Sequence, residues 1–160
     1  MIRPIQIRDA PAIRDIYNYY IENTVATFEE APVTVSVMEG RIRDTTAKYP
    51  WVVWEEGGEV TGYAYAHQWH ERAAYRFSAE DSIYLKAGCE GRGTGGKLLA
   101  PVLEELKKMG IHVVMSVITL PNERSVALHE RFGFKKSARF HEIGYKMNQW
   151  LDVGYWELLL

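Results

Sequence analysis

Apolar residues recur at every third or fourth position along three stretches of the chain, and this spacing predicts three amphipathic helices. The first stretch follows an aspartate and includes an early proline, a combination typical of a helix start, so we expect Asp9 to cap it. We expect the third helix to end at Gly110, because helices commonly end at a glycine with a left-handed backbone. With a short fourth helix, the predicted helices cover residues 10–22, about 34–48, 97–109 and about 122–133.

Shorter apolar runs lie between these helices and predict β-strands. Two of the runs flank the turn Glu56-Gly57-Gly58-Glu59 and therefore form a hairpin. The run over residues 111–118 is almost continuously apolar, as expected for a strand that is covered on both faces. The resulting order, β-α-α-β-β-β-α-β-α-β-β, predicts an α/β fold with a mixed central sheet flanked by helices. The predicted strands lie near residues 2–7, 51–54, 60–66, 82–86, 111–118, 134–146 and 152–159.

The length and composition fit one globular domain spanning residues 1–160. The chain has 19 Lys and Arg residues against 21 Asp and Glu residues, so it lacks the basic excess that would hold nucleic acid. No apolar run approaches the roughly 18 residues that a membrane-spanning helix needs. The single cysteine, Cys89, excludes an intrachain disulfide and fits a reducing compartment. We therefore expect a cytoplasmic protein without a nucleic-acid or membrane partner.

The strongest chemical signal is the glycine-rich sequence Glu90-Gly91-Arg92-Gly93-Thr94-Gly95-Gly96-Lys97, which stands between a predicted strand and a predicted helix. Glycines let a backbone approach a ligand closely and adopt positive φ angles. The free N–H groups at the start of a helix favour a bound phosphate. We therefore expect a phosphate-bearing ligand here; the alternative is a glycine-rich turn that binds nothing.

Two nucleotide-binding motifs fit this sequence only in part. A dinucleotide-binding loop follows the first strand of its fold, with an acidic residue about 20 residues later, whereas this loop lies in mid-chain and the next strand ends in Ile118-Thr119-Leu120. A P-loop needs Ser or Thr after its lysine to bind magnesium, but Leu98 follows Lys97. Each motif therefore lacks a residue that binding of its nucleotide requires.

The glycine loop instead resembles that of the GNAT N-acetyltransferase superfamily, in which the pattern Q/R-x-x-G-x-G/A cradles the pyrophosphate of acetyl-CoA. Gly93 and Gly95 occupy the two small positions of that pattern. Glu90 stands where Gln or Arg is usual, and we expect Arg92 and Lys97 to offset its negative charge. The resemblance implies acetyl-CoA as co-substrate and no metal.

Within that superfamily, the chain is similar to the phosphinothricin acetyltransferase family over essentially its whole length. This resemblance implies acetyl transfer to the α-amine of a small amino acid or glutamate-like analogue, such as phosphinothricin, methionine sulfoximine or methionine sulfone. It implies direct attack of the amine on the thioester, and a homodimer. The matching segments are residues 59–66, 72–84, 120–122, 128–130, 132–134 and 150–156.

Glu80 falls where the resemblance places the general base of this family. The amine arrives mostly as ammonium near neutral pH, so a carboxylate must accept a proton from it, directly or through a water. Along a strand, Glu80, Ser82 and Tyr84 share one face and can point into a cleft while the apolar residues between them face the core. The alternative is a surface glutamate beside Asp81.

His129 occupies the position at which many GNAT enzymes have a tyrosine that protonates the departing CoA thiolate, and at which the phosphinothricin family has histidine. Because histidine titrates near neutral pH, we expect His129 to donate that proton or to help position the substrate. The alternative is a hydrogen-bonded helix histidine without a catalytic role.

The resemblance also implies which residues bind the two substrates. Arg72 carries a planar guanidinium that suits a carboxylate or phosphinate, and a solvated loop arginine is the alternative. Asn122 resembles the residue that bonds the pantetheine arm, and a helix N-cap is the alternative. The expected acceptor-binding residues are Phe28, Arg72, Tyr75 and Tyr84. The expected acetyl-CoA-binding residues are Tyr84, Leu85, Lys86, Arg92, Gly93, Thr94, Gly95, Gly96, Lys97, Asn122 and Ser125.

Two other functions stay open at this point. The acceptor can be a different amine, such as a polyamine or a peptide N-terminus, although Arg72 favours an anionic acceptor over a polyamine. The chain can also be a CoA-binding regulatory protein with a disabled site. A metal site is not expected, because His67 and His70 form only part of the helix motif of a zinc protease.

Overall fold

The computed structural model describes all 160 residues and contains seven strands and four α-helices in the predicted order. The strands are β1 (Ile2–Pro4), β2 (Trp51–Glu56), β3 (Glu59–Gln68), β4 (Ser78–Leu85), β5 (Val113–Leu120), β6 (Lys135–Lys146) and β7 (Gln149–Leu159). The helices are α1 (Ala10–Asn23), α2 (Val35–Thr46), α3 (Thr94–Lys108) and α4 (Glu123–Arg131). Single 3₁₀ turns lie at Ile7–Asp9 and Ala73–Tyr75.

All seven strands form one mixed sheet with the order β1-β2-β3-β4-β5-β7-β6, which confirms the predicted fold class. The β4–β5 pair is parallel and every other neighbouring pair is antiparallel. β4 begins at Ser78 rather than at the predicted Ser82, because the polar residues that precede Ser82 lack the apolar alternation of the other strands. β5 begins at Val113 rather than at Ile111, whose N–H bonds to the Leu106 carbonyl at the end of α3.

The core consists of two layers, one on each face of the sheet. One layer packs the fully buried residues of α3 against the sheet, and the other packs α1 and α2 against the opposite face. Successive strand residues alternate between these layers, so Tyr63 of β3 contacts the α1–α2 layer and Ala64 the α3 layer. None of the helices is both long and apolar enough to cross a bilayer.

The two parallel strands separate partway along the sheet. β4 and β5 pair only where Ser78–Glu80 lies beside Val113–Met115, and each strand then continues for five further residues without pairing to the other. On its other edge, β5 pairs with β7 along its whole length. The carboxyl halves of β4 and β5 therefore enclose an opening, which we call the fork. α3 and α4 follow these two strands, so both helices start on the side of the fork.

The start of α1 differs from the prediction that Asp9 caps it. The Asp9 carboxylate makes no capping bond to the helix, and instead accepts two bonds from Arg3, at 2.8 and 2.9 Å, and one from the Gln6 N–H at 2.8 Å. Burial alone would raise the pKa of Asp9, but these bonds and the Arg3 charge lower it below its ordinary value. Asp9 therefore ties the first helix to β1 rather than stabilising its N–H groups.

Candidate active site

The glycine-rich loop lies at the open end of the fork and leads into α3. Gly93 is the N-cap residue of this helix and has a φ of 76°. A Cβ at Gly93 would meet no atom within 4 Å, so the backbone conformation, rather than crowding, requires glycine there. No side chain caps the helix, which leaves the N–H groups of its first turn directed outward. The predicted phosphate-binding geometry is therefore present.

Glu90, which departs from the usual family pattern, has a partner within its own loop. Its Oε2 accepts a hydrogen bond from the Gly88 N–H at 2.9 Å. Two nearby basic side chains, Arg92 and Lys97, are exposed. The Glu90 carboxylate therefore closes a turn of the loop, and the two cations remain accessible to an anion.

The next two glycines, Gly95 and Gly96, also pack against residues of α4 and its C-terminal end, which the sequence does not reveal. A Cβ at Gly95 would lie 3.1 Å from Leu128 of α4, and one at Gly96 would lie 3.5 Å from Phe132. The contact at Gly95 is tight, so a side chain there would require the Leu128 side chain to shift, whereas the contact at Gly96 is an ordinary van der Waals distance. Gly95 therefore also allows close packing of α3 against α4 beside the fork.

Asn122 and Ser125 lie at the start of α4, on the β5 side of the fork. The Asn122 Oδ1 accepts a hydrogen bond from the Ser125 N–H at 3.2 Å, so Asn122 is a helix N-cap. The N-cap interpretation of Asn122 is thus observed. A contact with the pantetheine arm stays a prediction.

Glu80 is the last β4 residue that pairs with β5, and its side chain lies on the α1–α2 face of the sheet. His67 stands opposite it on β3, with 3.9 Å between the His67 Nε2 and the Glu80 Oε2. The Glu80 side chain keeps 23% of its exposure. Burial raises the pKa of Glu80, His67 partly opposes that rise, and the neighbouring Asp81 charge adds to it. A carboxylate with a raised pKa is a stronger proton acceptor than a surface carboxylate.

A cavity of about 260 Å³ lies on the Glu80 face of the sheet, between α2 and strands β2 and β3. Its wall reaches His67, the neighbour of Glu80, and is otherwise mainly aromatic, with Arg41 and Asp44 as its charged residues. Arg41 binds both carboxylate oxygens of Glu29, at 2.8 and 2.6 Å. The cavity is therefore small and has both apolar and charged walls.

Tyr84 packs into the aromatic cluster next to this cavity. Its ring lies 5.3 Å from Tyr17, 5.1 Å from Tyr20 and 5.4 Å from Tyr63, measured between ring centroids. Burial raises the pKa of Tyr84 well above its ordinary value, so the phenol is neutral. Tyr84 therefore offers an uncharged wall on the Glu80 face of β4.

The other predicted acceptor residues lie in loops around this face. The Phe28 ring, which is half exposed, covers the backbone of Gly144 at the point where a side chain would stand. Tyr75 is exposed and its ring contacts His70 at 5.1 Å. Arg72 is exposed, and its side chain makes no hydrogen bond or ion pair within the chain, so its guanidinium is free. Their contacts with an acceptor stay predictions.

His129 is buried, and both of its ring nitrogens have partners. Nε2 lies 2.9 Å from the Asp81 Oδ2, and Nδ1 lies 2.7 Å from the Ser125 carbonyl oxygen. Burial alone would lower the pKa of His129, but the bond and charge of Asp81 outweigh burial and raise it. Neither nitrogen is free to protonate a thiolate in this conformation, so the geometry favours the hydrogen-bonded alternative over a proton donor.

Asp81 is a buried carboxylate at the fork that the sequence analysis did not single out. Successive side chains of a strand point to opposite faces, so Asp81 points away from the Glu80 face, toward the α3–α4 side of the sheet, where apolar residues are expected. A charged residue at a core-facing strand position needs a partner. The sequence therefore indicated that Asp81 needs a partner, but it did not identify that partner as His129, which is 48 residues away in the chain.

Comparison with known proteins gives matches over nearly the whole chain. The family model for the acetyltransferase (GNAT) domain matches residues 2–154. A phosphinothricin N-acetyltransferase from Streptomyces viridochromogenes is 36% identical over 156 residues, which are 98% of this chain and 85% of the relative. An L-methionine sulfoximine/L-methionine sulfone acetyltransferase from Pseudomonas aeruginosa is 35% identical over 162 residues, which cover 99% of this chain and 94% of the relative.

Solved structures agree with these matches. A GNAT superfamily phosphinothricin acetyltransferase from Sinorhizobium meliloti, in complex with AcCoA, has a TM-score of 0.97 and 36% identity, covering 100% of this chain and 88% of that one. A ribosomal-protein-alanine N-acetyltransferase from Brucella melitensis also has a TM-score of 0.97, at 32% identity, with 100% and 99% covered.

The mixed sheet with its fork, and the uncapped glycine-rich helix start beside it, define the class of N-acyltransferases that take an acyl group from a CoA thioester. Such a transfer needs a proton acceptor, and the Glu80 carboxylate lies at the base of the fork; its role as the base stays a prediction. The chain belongs to the GNAT family of acetyltransferases. An acetyl-CoA-dependent N-acetyltransferase, as predicted from the sequence, is therefore confirmed.

Proposed function

We propose that this enzyme acetylates the α-amine of a small amino acid or glutamate-like analogue, such as phosphinothricin, methionine sulfoximine or methionine sulfone. The observation that carries the proposal is a cavity of about 260 Å³ whose wall includes His67, which lies 3.9 Å from Glu80; this cavity has room for a small acceptor. The substrates named for the two curated relatives are of this size and class. The free guanidinium of Arg72 supports an anionic group on the acceptor.

In this proposal acetyl-CoA occupies the fork, with its pyrophosphate at the first turn of α3. The free N–H groups there and the helix dipole favour the negative charge. The residues assigned to this site are those expected from the sequence, from Tyr84 to Lys86 on β4, from Arg92 to Lys97 in the loop, and Asn122 and Ser125 on α4. Beyond the paired residues, the N–H groups of β4 and β5 that face the fork have no strand partner there, and they are suited to polarise the thioester carbonyl.

The amine attacks the thioester from the α1–α2 side, where Glu80 lies. Glu80 accepts the ammonium proton, which leaves a neutral amine to attack the thioester carbonyl. The C–N bond forms as the C–S bond breaks, and the second proton of the attacking nitrogen passes to the departing CoA thiolate. His67, at 3.9 Å, restrains the rise in the Glu80 pKa, so the carboxylate is available as a base near neutral pH. His129 remains inside the protein in this scheme and supports the site through Asp81.

A second acceptor class has one observation in its favour. The neighbour from Brucella melitensis is named for acetylating a ribosomal-protein alanine, and it matches this chain along its whole length. A peptide N-terminus must reach Glu80 from the surface, whereas the small cavity beside Glu80 favours a free amino acid. The same assay separates the two classes.

The test measures CoA release by the purified enzyme with a panel of acceptors at equal concentration. The panel contains phosphinothricin, methionine sulfoximine, methionine sulfone, an alanine-terminated peptide and a polyamine. We expect kcat/KM for at least one amino-acid analogue to exceed that for the peptide and the polyamine by more than tenfold. A higher kcat/KM for the peptide would replace the proposed substrate class, and CoA binding without release for any acceptor would indicate a disabled enzyme.

The homodimer and the cytoplasmic location also belong to this proposal. The β6–β7 hairpin carries exposed Phe140, Ile143, Tyr145 and Trp150, an apolar surface of the kind that a second copy can cover. Light scattering at micromolar concentration should give a mass near twice 18.4 kDa. A monomer mass would remove the dimer from the proposal. The near-neutral charge balance supports a small-molecule partner without nucleic acid or membrane.

A further inference from the structure

The contact between Asp81 and His129 joins the two sides of the fork. Asp81 follows Glu80, the last β4 residue that pairs with β5, and His129 lies on α4, the helix that follows β5. The contact is 2.9 Å long, and the two side chains keep only 1% and 4% of their exposure. The pair therefore links β4 to the element beyond β5 at the point where the strands separate.

Hydrogen-bond chemistry fixes one proton of the His129 ring. Nδ1 faces the Ser125 carbonyl oxygen at 2.7 Å. A carbonyl oxygen only accepts hydrogen bonds, so Nδ1 must carry a proton. The remaining proton lies between Nε2 and the Asp81 Oδ2. If that proton is on Nε2, the pair is an imidazolium and a carboxylate; if it is on Oδ2, both groups are neutral.

The surroundings of Asp81 decide between these two states. Its second oxygen, Oδ1, is buried without a hydrogen-bond partner, and no Lys or Arg side chain contacts the carboxylate. His129 is therefore the only group placed to neutralise it. A carboxylic acid is ordinarily a stronger acid than an imidazolium, which places the proton on the ring. A buried charge of one sign needs a charge of the other sign beside it.

We propose that Asp81 is a positioning residue that keeps His129 doubly protonated, and that their ion pair holds α4 against β4 at the fork. The groups that face the ring are few. Asp81 approaches from β4, Ser125 from the same helix, and the Phe134 ring stands edge-on at 5.1 Å from the segment before β6. The adjacent Glu130 points elsewhere, to the Trp156 Nε1 at 3.2 Å.

The ion pair also affects Glu80, and this step rests on the proposed function. The charged or titratable groups that act on Glu80 are His67 from β3 and Asp81 from its own strand. The positive charge on His129 offsets the negative charge that Asp81 presents to Glu80. Removing the Asp81 charge should therefore move the acid limb of the kcat/KM profile to lower pH. Removing His129 leaves Asp81 buried without its partner, so Asp81 takes up a proton and the limb should again move to lower pH.

The first experiment measures the protonation state of the His129 ring by long-range ¹H–¹⁵N NMR of the histidine-labelled enzyme at pH 7.5. A histidine with an ordinary pKa of about 6.5 is only about one-tenth protonated at this pH. We expect His129 to be mainly imidazolium in the native enzyme and mainly neutral in Asp81→Asn. The matched control is Asp152→Asn, which removes the carboxylate 3.2 Å from the exposed His141 and should leave the His129 signals unchanged.

A neutral His129 in the native enzyme would overturn the proposal, even if Asp81→Asn does not fold. An imidazolium that persists in a folded Asp81→Asn variant would overturn it as well. The second experiment compares the pH profiles of Asp81→Asn and His129→Gln, and a shift of the acid limb to lower pH is expected in both. A purely structural role would lower activity in both variants without moving the acid limb. If Glu80 is not the base, the pH profiles of the variants will not shift as expected, whereas the NMR result for His129 is unaffected.

Discussion

Replacement of Glu80 by glutamine tests the proton acceptor most directly, because glutamine keeps the size of the side chain and removes its basicity. Glu80 lies at the base of the fork with 23% of its side chain exposed, and burial raises its pKa. Help from a general base is typically worth about 10²–10⁴-fold, or about 2.7–5.5 kcal/mol of activation free energy. We therefore expect kcat to fall by about this factor at pH 7.5, while the KM for acetyl-CoA stays nearly constant.

The pH dependence of the loss separates a base from a residue that only shapes the cavity. Without Glu80, the reaction depends on amine that is already neutral, and each pH unit below the amine pKa leaves about tenfold less of it. The native enzyme loses activity only as the pH falls through the raised pKa of Glu80, where the carboxylate becomes protonated. Above that pKa its rate should be flat, whereas the rate of Glu80→Gln should climb about tenfold per pH unit.

Stability measurements and a matched variant complete this test. Because the pKa of folded Glu80 is raised, its contribution to stability is fully present below its unfolded pKa and is lost as pH rises through the folded value. Glu80→Gln avoids that loss, so its Tm at pH 8 should equal or exceed that of the native enzyme. Glu104→Gln, on the exposed side of α3, should leave both kcat and its pH profile unchanged. Near-native kcat for Glu80→Gln at pH 7.5 would reject the assignment.

Three further changes probe the rest of the site and the core. Arg72→Ala should weaken anionic acceptors by roughly 1.5–3 kcal/mol, or about tenfold to more than a hundredfold, in steady-state kinetics. Neutral amines should be unaffected, and an equal loss for both classes would make Arg72 structural. Gly93→Val forces a β-branched residue to a φ of 76°, so the KM for acetyl-CoA should rise more than that for the amine. Calorimetry should find no competing NAD or ATP binding in the native enzyme, and micromolar binding of either without CoA binding would refute the assigned ligand. Leu99→Ala, at a fully buried position, should cost about 2–5 kcal/mol in denaturant unfolding, against less than about 0.5 kcal/mol for Met109→Ala at the exposed end of α3.

Elements with a clear apolar period were predictable from the sequence, because each period reflects the face that the element buries. α3 is the best example: its apolar face is buried along its whole length, and Gly110 follows its end with a positive φ, as predicted. β4 was predicted least well, since its first residues serve the site rather than the core. A strand that carries Glu80 and Asp81 lacks the alternation by which strands are found.

The site itself depends on distances that no local pattern contains. The fork exists because β4 and β5 pair over only three residues, while β7, from near the end of the chain, pairs with the other edge of β5. The packing of Gly95 against Leu128 likewise joins two helices that the sequence treats separately. Residue type and spacing therefore predicted the glycine loop, and the family resemblance pointed to Glu80, but neither predicted their geometry relative to the fork.

The two consecutive carboxylates of β4 illustrate how the fold assigns chemistry. Glu80 and Asp81 are neighbours in the chain, yet strand alternation sends them to opposite faces of the sheet. Glu80 meets His67 at 3.9 Å beside a cavity and keeps access to an amine, whereas Asp81 is enclosed and bonded to His129 at 2.9 Å. A slip of one residue in the β3–β4 register would exchange their faces. The register of this strand pair therefore decides which carboxylate can accept a proton and which can only hold the helix beside the fork.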